Sequence, residues 1–231
     1  MSNEQPKSYE WRISRKPQRA SEASDQPPYR LGVLISGSGT NLQALIDAIE
    51  RQELPGVQIT LVVSNQPDAY GLVRAQNSGI PTRFLPWQTR AESETRLRHL
   101  LSEFQVDLIV LAGWMRILSA DFLAHFPNRV INIHPALLPD DGTGSTYTTS
   151  NGTQIPVFRG LHAVKQALDA GVKITGSSVH YVTPEVDAGP VICREEVTIE
   201  PGDTEEILHE RLKAVEQRLI VEAVRRLSHA K

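Results

Sequence analysis

Asn132 and His134 stand two residues apart in the run RVINIHP, which breaks at Pro135. In a strand, residues two apart face the same side, so an amide and an imidazole point together. An amide donor beside an imidazole suits a reaction in which an oxygen gains negative charge while a proton changes place. The plainer reading is a pair of polar residues that end a strand. Pro135 bears on the choice, because proline cannot continue a central strand. The pair therefore lies at the edge of a sheet, where ligands of open α/β sheets bind.

Two other stretches carry residues suited to a site. SGSGTNLQ, residues 36–43, has Gly37 and Gly39 for a tight turn, followed by a helix from about Asn41. The unpaired N–H groups of such a helix face the turn and suit a phosphate. The stretch lacks the Gly-Lys-Ser/Thr of a P-loop and the full G-x-G-x-x-G dinucleotide fingerprint, and its plainer reading is a strand-to-helix turn. EVDAGP places Asp187 in a turn. A turn Asp usually bonds its own backbone, and this one gains a role only if the fold carries it to His134. The other histidines, at 99, 125, 162, 180, 209 and 229, have no metal-ligand spacing, so no metal site is expected.

These residues need elements to position them. Strand-length apolar runs such as YRLGVLIS, VQITLVVSN and DLIVLAGW alternate with helical faces, among them Leu42, Leu45, Ile46, Ile49 and Leu97, Leu100, Leu101, Phe104. Thr89 with Glu92 reads as a capping box, and Asp203 with Glu206 reads as another that opens a final helix carrying Ile207, Leu208, Leu212 and Val215. Strands apolar on both faces alternating with helices imply a doubly wound, mostly parallel α/β sheet. KITGSSVHYVT and GPVICREEVTI, flanking a turn-rich PEVDAG, read as an antiparallel extension near the C-terminus.

Composition limits the rest. A chain of 231 residues, 40% hydrophobic and 22% charged, suits one domain with a well-buried core. A net charge of -3 gives no electrostatic case for nucleic acid or a membrane surface. No apolar run approaches the ~18 residues of a bilayer span. The single cysteine, Cys193, excludes an internal disulfide framework and fits the reducing cytoplasm; a small buried hydrophobe on a strand is its expected role. Residues 1–28 mix charges with prolines and lack an apolar signal-peptide core, so a disordered tail is expected before a domain at 29–231.

In order and spacing, GVLISGSGTNLQALIDAI, VVSNQPDAYGLVRAQNSGIP, VLAGWMRILS, INIHPALLP and GSSVHYVTPEVDAGPVI together resemble the phosphoribosylglycinamide formyltransferase family, with its Rossmann-like fold. The resemblance implies transfer of a formyl group from 10-formyltetrahydrofolate, as co-substrate, to the amine of glycinamide ribonucleotide. It implies Asn132, His134 and Asp187 as the catalytic trio and Gly39, Thr40 and Asn41 as holders of the substrate phosphate. Glu216 matches a residue that contacts the nucleotide. Met115, Arg116, Ile117 and Leu118 match the folate pocket, with Asn132 and the loop of Thr183, Pro184, Glu185, Val186 and Asp187; Arg90 matches a residue near it. It implies small-molecule substrates and a monomer or weak homodimer.

The chain departs from the family's pattern in two places. Gln217 follows Glu216 where the family commonly has His. About 17 extra residues separate LLP from GLH, long for an unstructured connection in a compact domain. This polar segment, 140–157, is expected to be a loosely held hairpin turning at Asn151-Gly152. It reads either as a tolerated surface insertion or as a flap over the cleft. Rival readings of the whole chain are a formyltransferase acting on methionyl-tRNA or an amino sugar, a formyltetrahydrofolate hydrolase, and a silent phosphate-binding module. The first two usually carry a further domain, and the intact trio argues against the last.

Overall fold

The computed structural model describes residues 27–229, so all but Pro27 and Pro28 of the expected tail lies outside it. Its first half runs β1 Tyr29–Ile35, α1 Thr40–Glu50, β2 Val57–Ser64, α2 Tyr70–Asn77, β3 Thr82–Phe84, α3 Arg90–Glu103, β4 Leu108–Leu111, α4 Ala120–Ala124 and β5 Val130–His134. There follow β6 Thr146–Thr148, β7 Gln154–Pro156, α5 Ala163–Asp169, β8 Ile174–Tyr181, β9 Val191–Thr198 and α6 Glu205–Ser228. The main sheet has the order β3-β2-β1-β4-β5-β8-β9. Its first five strands are parallel, and β8 and β9 add antiparallel. This is the doubly wound sheet with an antiparallel extension that the sequence pattern predicts.

The apolar runs are continuous because each strand feeds two cores. Leu31, Val33 and Ile35 of β1 face α1 and α6, while Leu34 faces the opposite core with Leu97 of α3 and Phe122 of α4. Successive side chains of a strand point to opposite faces, so a strand covered on both sides needs apolar residues throughout. The order reverses between β1 and β4. A crevice therefore opens at the carboxyl ends of these strands, where the connections leave in opposite directions.

Two local expectations need correction. The cap of α6 is Thr204, whose hydroxyl accepts from the Ile207 N–H, and not Asp203. Asp203 is engaged elsewhere, pairing both carboxylate oxygens with Arg211 at 2.8 Å and accepting from the Glu200 N–H. Ile207 is exposed, so the buried face of α6 runs through Leu208, Leu212, Val215 and Leu219.

The polar segment forms the hairpin β6–β7, but it is not loosely held. Its turn spans three residues, closed by the Thr149 N–H donating to the Thr153 carbonyl, with Gly152 at φ 84. The hairpin is clasped to β9. Glu196 accepts from the Ser150 N–H and hydroxyl, both at 2.7 Å, and from the Tyr147 hydroxyl at 3.2 Å. Arg194 pairs with Asp140 at 2.6 Å and lies over the Tyr147 ring. Ile155 is buried beneath it. Among the described residues no helix is long and apolar enough to cross a membrane.

Candidate active site

β5 delivers Asn132 and His134 to the carboxyl end of the sheet, and the chain leaves at Pro135. Antiparallel pairing with β8 sets His180 directly opposite Asn132. A one-residue bulge follows, since Val179 pairs with Cys193 and His180 with Val191. Bulges of this kind re-aim a side chain at the end of a ladder. The loop after β8 then folds back, and Asp187 enters from above at φ 51, a left-handed conformation that Asp tolerates better than most residues.

Asp187 joins the cluster. Its Oδ2 lies 3.4 Å from His134 Nδ1 and accepts from the Gly160 N–H at 2.8 Å. Its Oδ1 lies 3.5 Å from His180 Nε2 and 3.4 Å from Asn132 Nδ2. On its far side His134 Nε2 donates to the Phe158 carbonyl at 2.8 Å. The imidazole thus has an acceptor at each nitrogen, an arrangement that the doubly protonated ring satisfies best. Burial opposes that charge and lowers the His134 pKa, with Asp187 and the Phe158 carbonyl working the other way. Burial alone would raise the Asp187 carboxyl, but the His180 contact, the His134 charge and the Gly160 N–H outweigh it and hold it at about 2. The pair is a fixed anion beside a ring poised to gain a proton when negative charge appears nearby.

The cluster opens on a cleft of about 610 Å³. Its polar end reaches Asn41, His209 and Glu216. Asn41 Nδ2 donates to Glu216 Oε2 at 3.1 Å, while Asn41 Oδ1 is buried without a partner. Burial raises the Glu216 carboxyl, against the Asn41 hydrogen bond. The other end is apolar: Met115, Ile117, Leu161 and Val186 are exposed at its mouth. An exposed apolar patch rimming a cleft with a few convergent polar groups is the usual form of a small-molecule site.

The glycine turn lies beside Asn41, and α2 fixes it. The Gly71 N–H donates to the Gly37 carbonyl at 3.0 Å, and Arg74 Nε donates to the Ser38 carbonyl at 2.8 Å. Across a trans peptide the C=O and N–H point opposite ways, so the Ser38 and Gly39 N–H groups are turned away from α2. Gly39, at φ 70, has no room for a side chain, since a Cβ there would stand 2.6 Å from Gly71 Cα.

Of the residues singled out from sequence, Asn132, His134, Asp187, Asn41, Glu216, residues 115–118 and residues 183–187 all line this cleft. Gly39 lies at the turn itself. Thr40 lines a neighbouring groove between α1 and α6, which also takes Gln217. Arg90, the first residue of α3, is exposed and outside the cleft lining. Sequence reasoning passed over His180, Leu161 and Gly160. His180 stood within GSSVHYV on the strand flanking the trio, but its pairing with Asn132 bridges 48 residues and leaves no local signal.

A family model described as formyl transferase matches residues 29–149 and 152–224, which takes in every element of the cleft. The chain belongs to the formyl transferase family. It is 41% identical over 198 residues to the trifunctional purine biosynthetic protein adenosine-3 of Bos taurus, covering 84% of this chain and 18% of that one. The chain thus spans less than a fifth of that relative's length. It is 40% identical over 187 residues to the phosphoribosylglycinamide formyltransferase of Escherichia coli strain K12, covering 80% of each. Among solved structures, glycinamide ribonucleotide transformylase 1 of Symbiobacterium toebii superposes with a TM-score of 0.78 at 38% identity, covering 91% of this chain and 94% of that one.

Proposed function

We propose that this protein transfers the formyl group of 10-formyltetrahydrofolate to the amine of glycinamide ribonucleotide, a step of purine biosynthesis. The observation that carries the reading is the convergence of Asn132, His134 and Asp187 at one point of a cleft with a polar end and an apolar mouth. Membership of the formyl transferase family supports it. So do relatives of about 40% identity named for this activity.

The geometry supports the following residue roles within this proposal. The nucleotide phosphate sits at the glycine turn, on amides that α2 holds outward and on the N-terminus of α1. Glu216 and Asn41 take the nucleotide's polar groups. Met115, Ile117, Leu161 and Val186 hold the folate rings against water, with Arg90 further out. As the amine adds to the formyl carbon, charge builds on the formyl oxygen. The Asn132 amide, whose contacts at 3.3 and 3.4 Å are long, turns to this stronger acceptor. His134 takes the proton that the attacking amine loses, is held as a cation by Asp187, and passes a proton to the folate nitrogen as that nitrogen's bond to the formyl carbon breaks. An oxyanion donor is typically worth ~10²–10³ in rate and a positioned acid–base ~10²–10⁴.

Domain limits of 1–28 and 29–231 and a cytoplasmic setting belong to the same reading. Burial pushes the Cys193 thiol up to about 11, as expected of a small buried side chain on a strand. The test is the rate of loss of 10-formyltetrahydrofolate with and without glycinamide ribonucleotide. Turnover that requires the nucleotide supports transfer to it. Equal turnover without it points to a hydrolase, and turnover only with a different amine moves the substrate assignment.

A further inference from the structure

Phe158, Arg159 and Gly160, which directly follow the polar segment, reach both members of the acid–base pair. Phe158 accepts from His134 through its carbonyl, and Gly160 donates its N–H to the Asp187 carboxylate, both at 2.8 Å. Between them Arg159 donates from Nε to the Asp187 carbonyl at 2.9 Å. The same guanidinium donates from Nη2 to the carbonyls of Gly142 and Gly144, at 2.6 and 2.8 Å. One planar cation therefore ties the backbone of a catalytic residue to the start of the polar segment.

Asp187 needs such a tie. Its φ of 51 is a left-handed conformation that side-chain-bearing residues adopt less readily than extended or helical ones, so the aim of its carboxylate depends on how its peptide is held. The segment that holds it is itself fixed. Gly142 packs so closely on the peptides after Asp187 that a Cβ there would stand 2.2 Å from the Gly189 carbonyl oxygen. The Val191 N–H donates to the Asp140 carbonyl at 2.9 Å, and Glu196 and Arg194 clasp the hairpin beyond. Arg159 itself is not part of the cleft lining.

Resting on the functional reading above, we infer that Arg159 is a positioning residue for the His134–Asp187 pair and that the polar segment 140–157 is its anchor. The segment is neither a flap over the cleft nor a neutral insertion. It sets the geometry of proton transfer from outside the site.

The test is a kinetic cycle on the full chain. Arg159→Met should lower kcat by about 10- to 100-fold, the scale of a misplaced catalytic group, with both Michaelis constants within about twofold of wild type. Arg159→Lys, which keeps a donor for the Asp187 carbonyl, should recover part of the loss. Added to Asp187→Asn, Arg159→Met should cost less than about twofold more, because residues that act as a unit do not add. Glu196→Ala, which releases the hairpin, should lower kcat by at least about threefold in the same way, and it decides the matter if Arg159→Met does not fold. A kcat for either variant equal to wild type, or a full multiplicative loss in the Asp187→Asn background, overturns the inference. A wild-type chain that does not formylate glycinamide ribonucleotide defeats the functional reading instead, and so the two failures are told apart.

Discussion

Asp187 and His134 are coupled through opposite tendencies: His180 and then His134 hold the Asp187 carboxyl down, while burial lowers the His134 pKa against the pull of Asp187. The carboxylate favours the charged imidazole, while burial resists it. Replacing Asp187 with Asn removes the favourable term, so the His134 pKa should fall further below its ordinary value. Titration of the His134 ring by NMR checks this, and a midpoint equal to or above wild type would mean that the two are not coupled. Asp187→Asn and His134→Ala should each cut kcat by about 10²–10⁴. Glu216 is the opposite case, a buried carboxyl raised by its surroundings. Such a group lowers stability once the pH exceeds its unfolded pKa, and this cost grows until the folded pKa is passed. Glu216→Gln should therefore melt at or above wild type at pH 7.5, lose that advantage below about pH 4, and show a raised Michaelis constant for the nucleotide. Melting below wild type at pH 7.5 would show the charge to be well compensated. The sequence disclosed the types and the i, i+2 spacing of Asn132 and His134. It did not disclose His180 or Gly160, because both meet the pair through contacts between distant segments.

At the scale of elements, α2 acts on the glycine turn rather than on a ligand. Arg74 holds the Ser38 carbonyl and also donates to Gln43 Oε1 at 3.2 Å, so its loss frees the peptide whose N–H we propose to serve the phosphate. Arg74→Met should raise the Michaelis constant for the nucleotide by about 3- to 10-fold, about the worth of one net hydrogen bond, with kcat little changed. An unchanged constant would remove α2 from the phosphate site. Elements were legible where a single period governs them: the continuous strands, the face of α1, and the Thr89 cap of α3 whose hydroxyl accepts from Glu92. They were misread where a side chain had a stronger partner elsewhere. Asp203 is held by Arg211, which leaves Thr204 to cap α6. The hairpin looked weak from its composition because what holds it, Glu196 and Arg194, lies on another strand.

For the whole molecule, the reversal of strand order between β1 and β4 is what brings the glycine turn, the 115–118 loop and the trio to one cleft. A nucleotide bound across that cleft adds its binding energy to folding. At 100 times its Kd the gain is about 2.7 kcal/mol, or roughly 5–10 °C in Tm for a chain of this size. Gly39→Val, which strains the turn against Gly71, should largely lose this shift. The fold class was readable because strands and helices alternate along the whole chain. The pairing of β5 with β8 was not, since no local pattern joins strands some 48 residues apart. The most direct test of the central claim follows the formyl carbon itself. With 10-formyltetrahydrofolate labelled with ¹³C at that carbon, NMR of the wild-type reaction with glycinamide ribonucleotide should show the label entering the formamide of the nucleotide. Free formate should stay near background, and Asp187→Asn should slow the transfer by orders of magnitude. Label appearing as formate at the same rate with or without the nucleotide, or undiminished transfer by Asp187→Asn, would contradict the account.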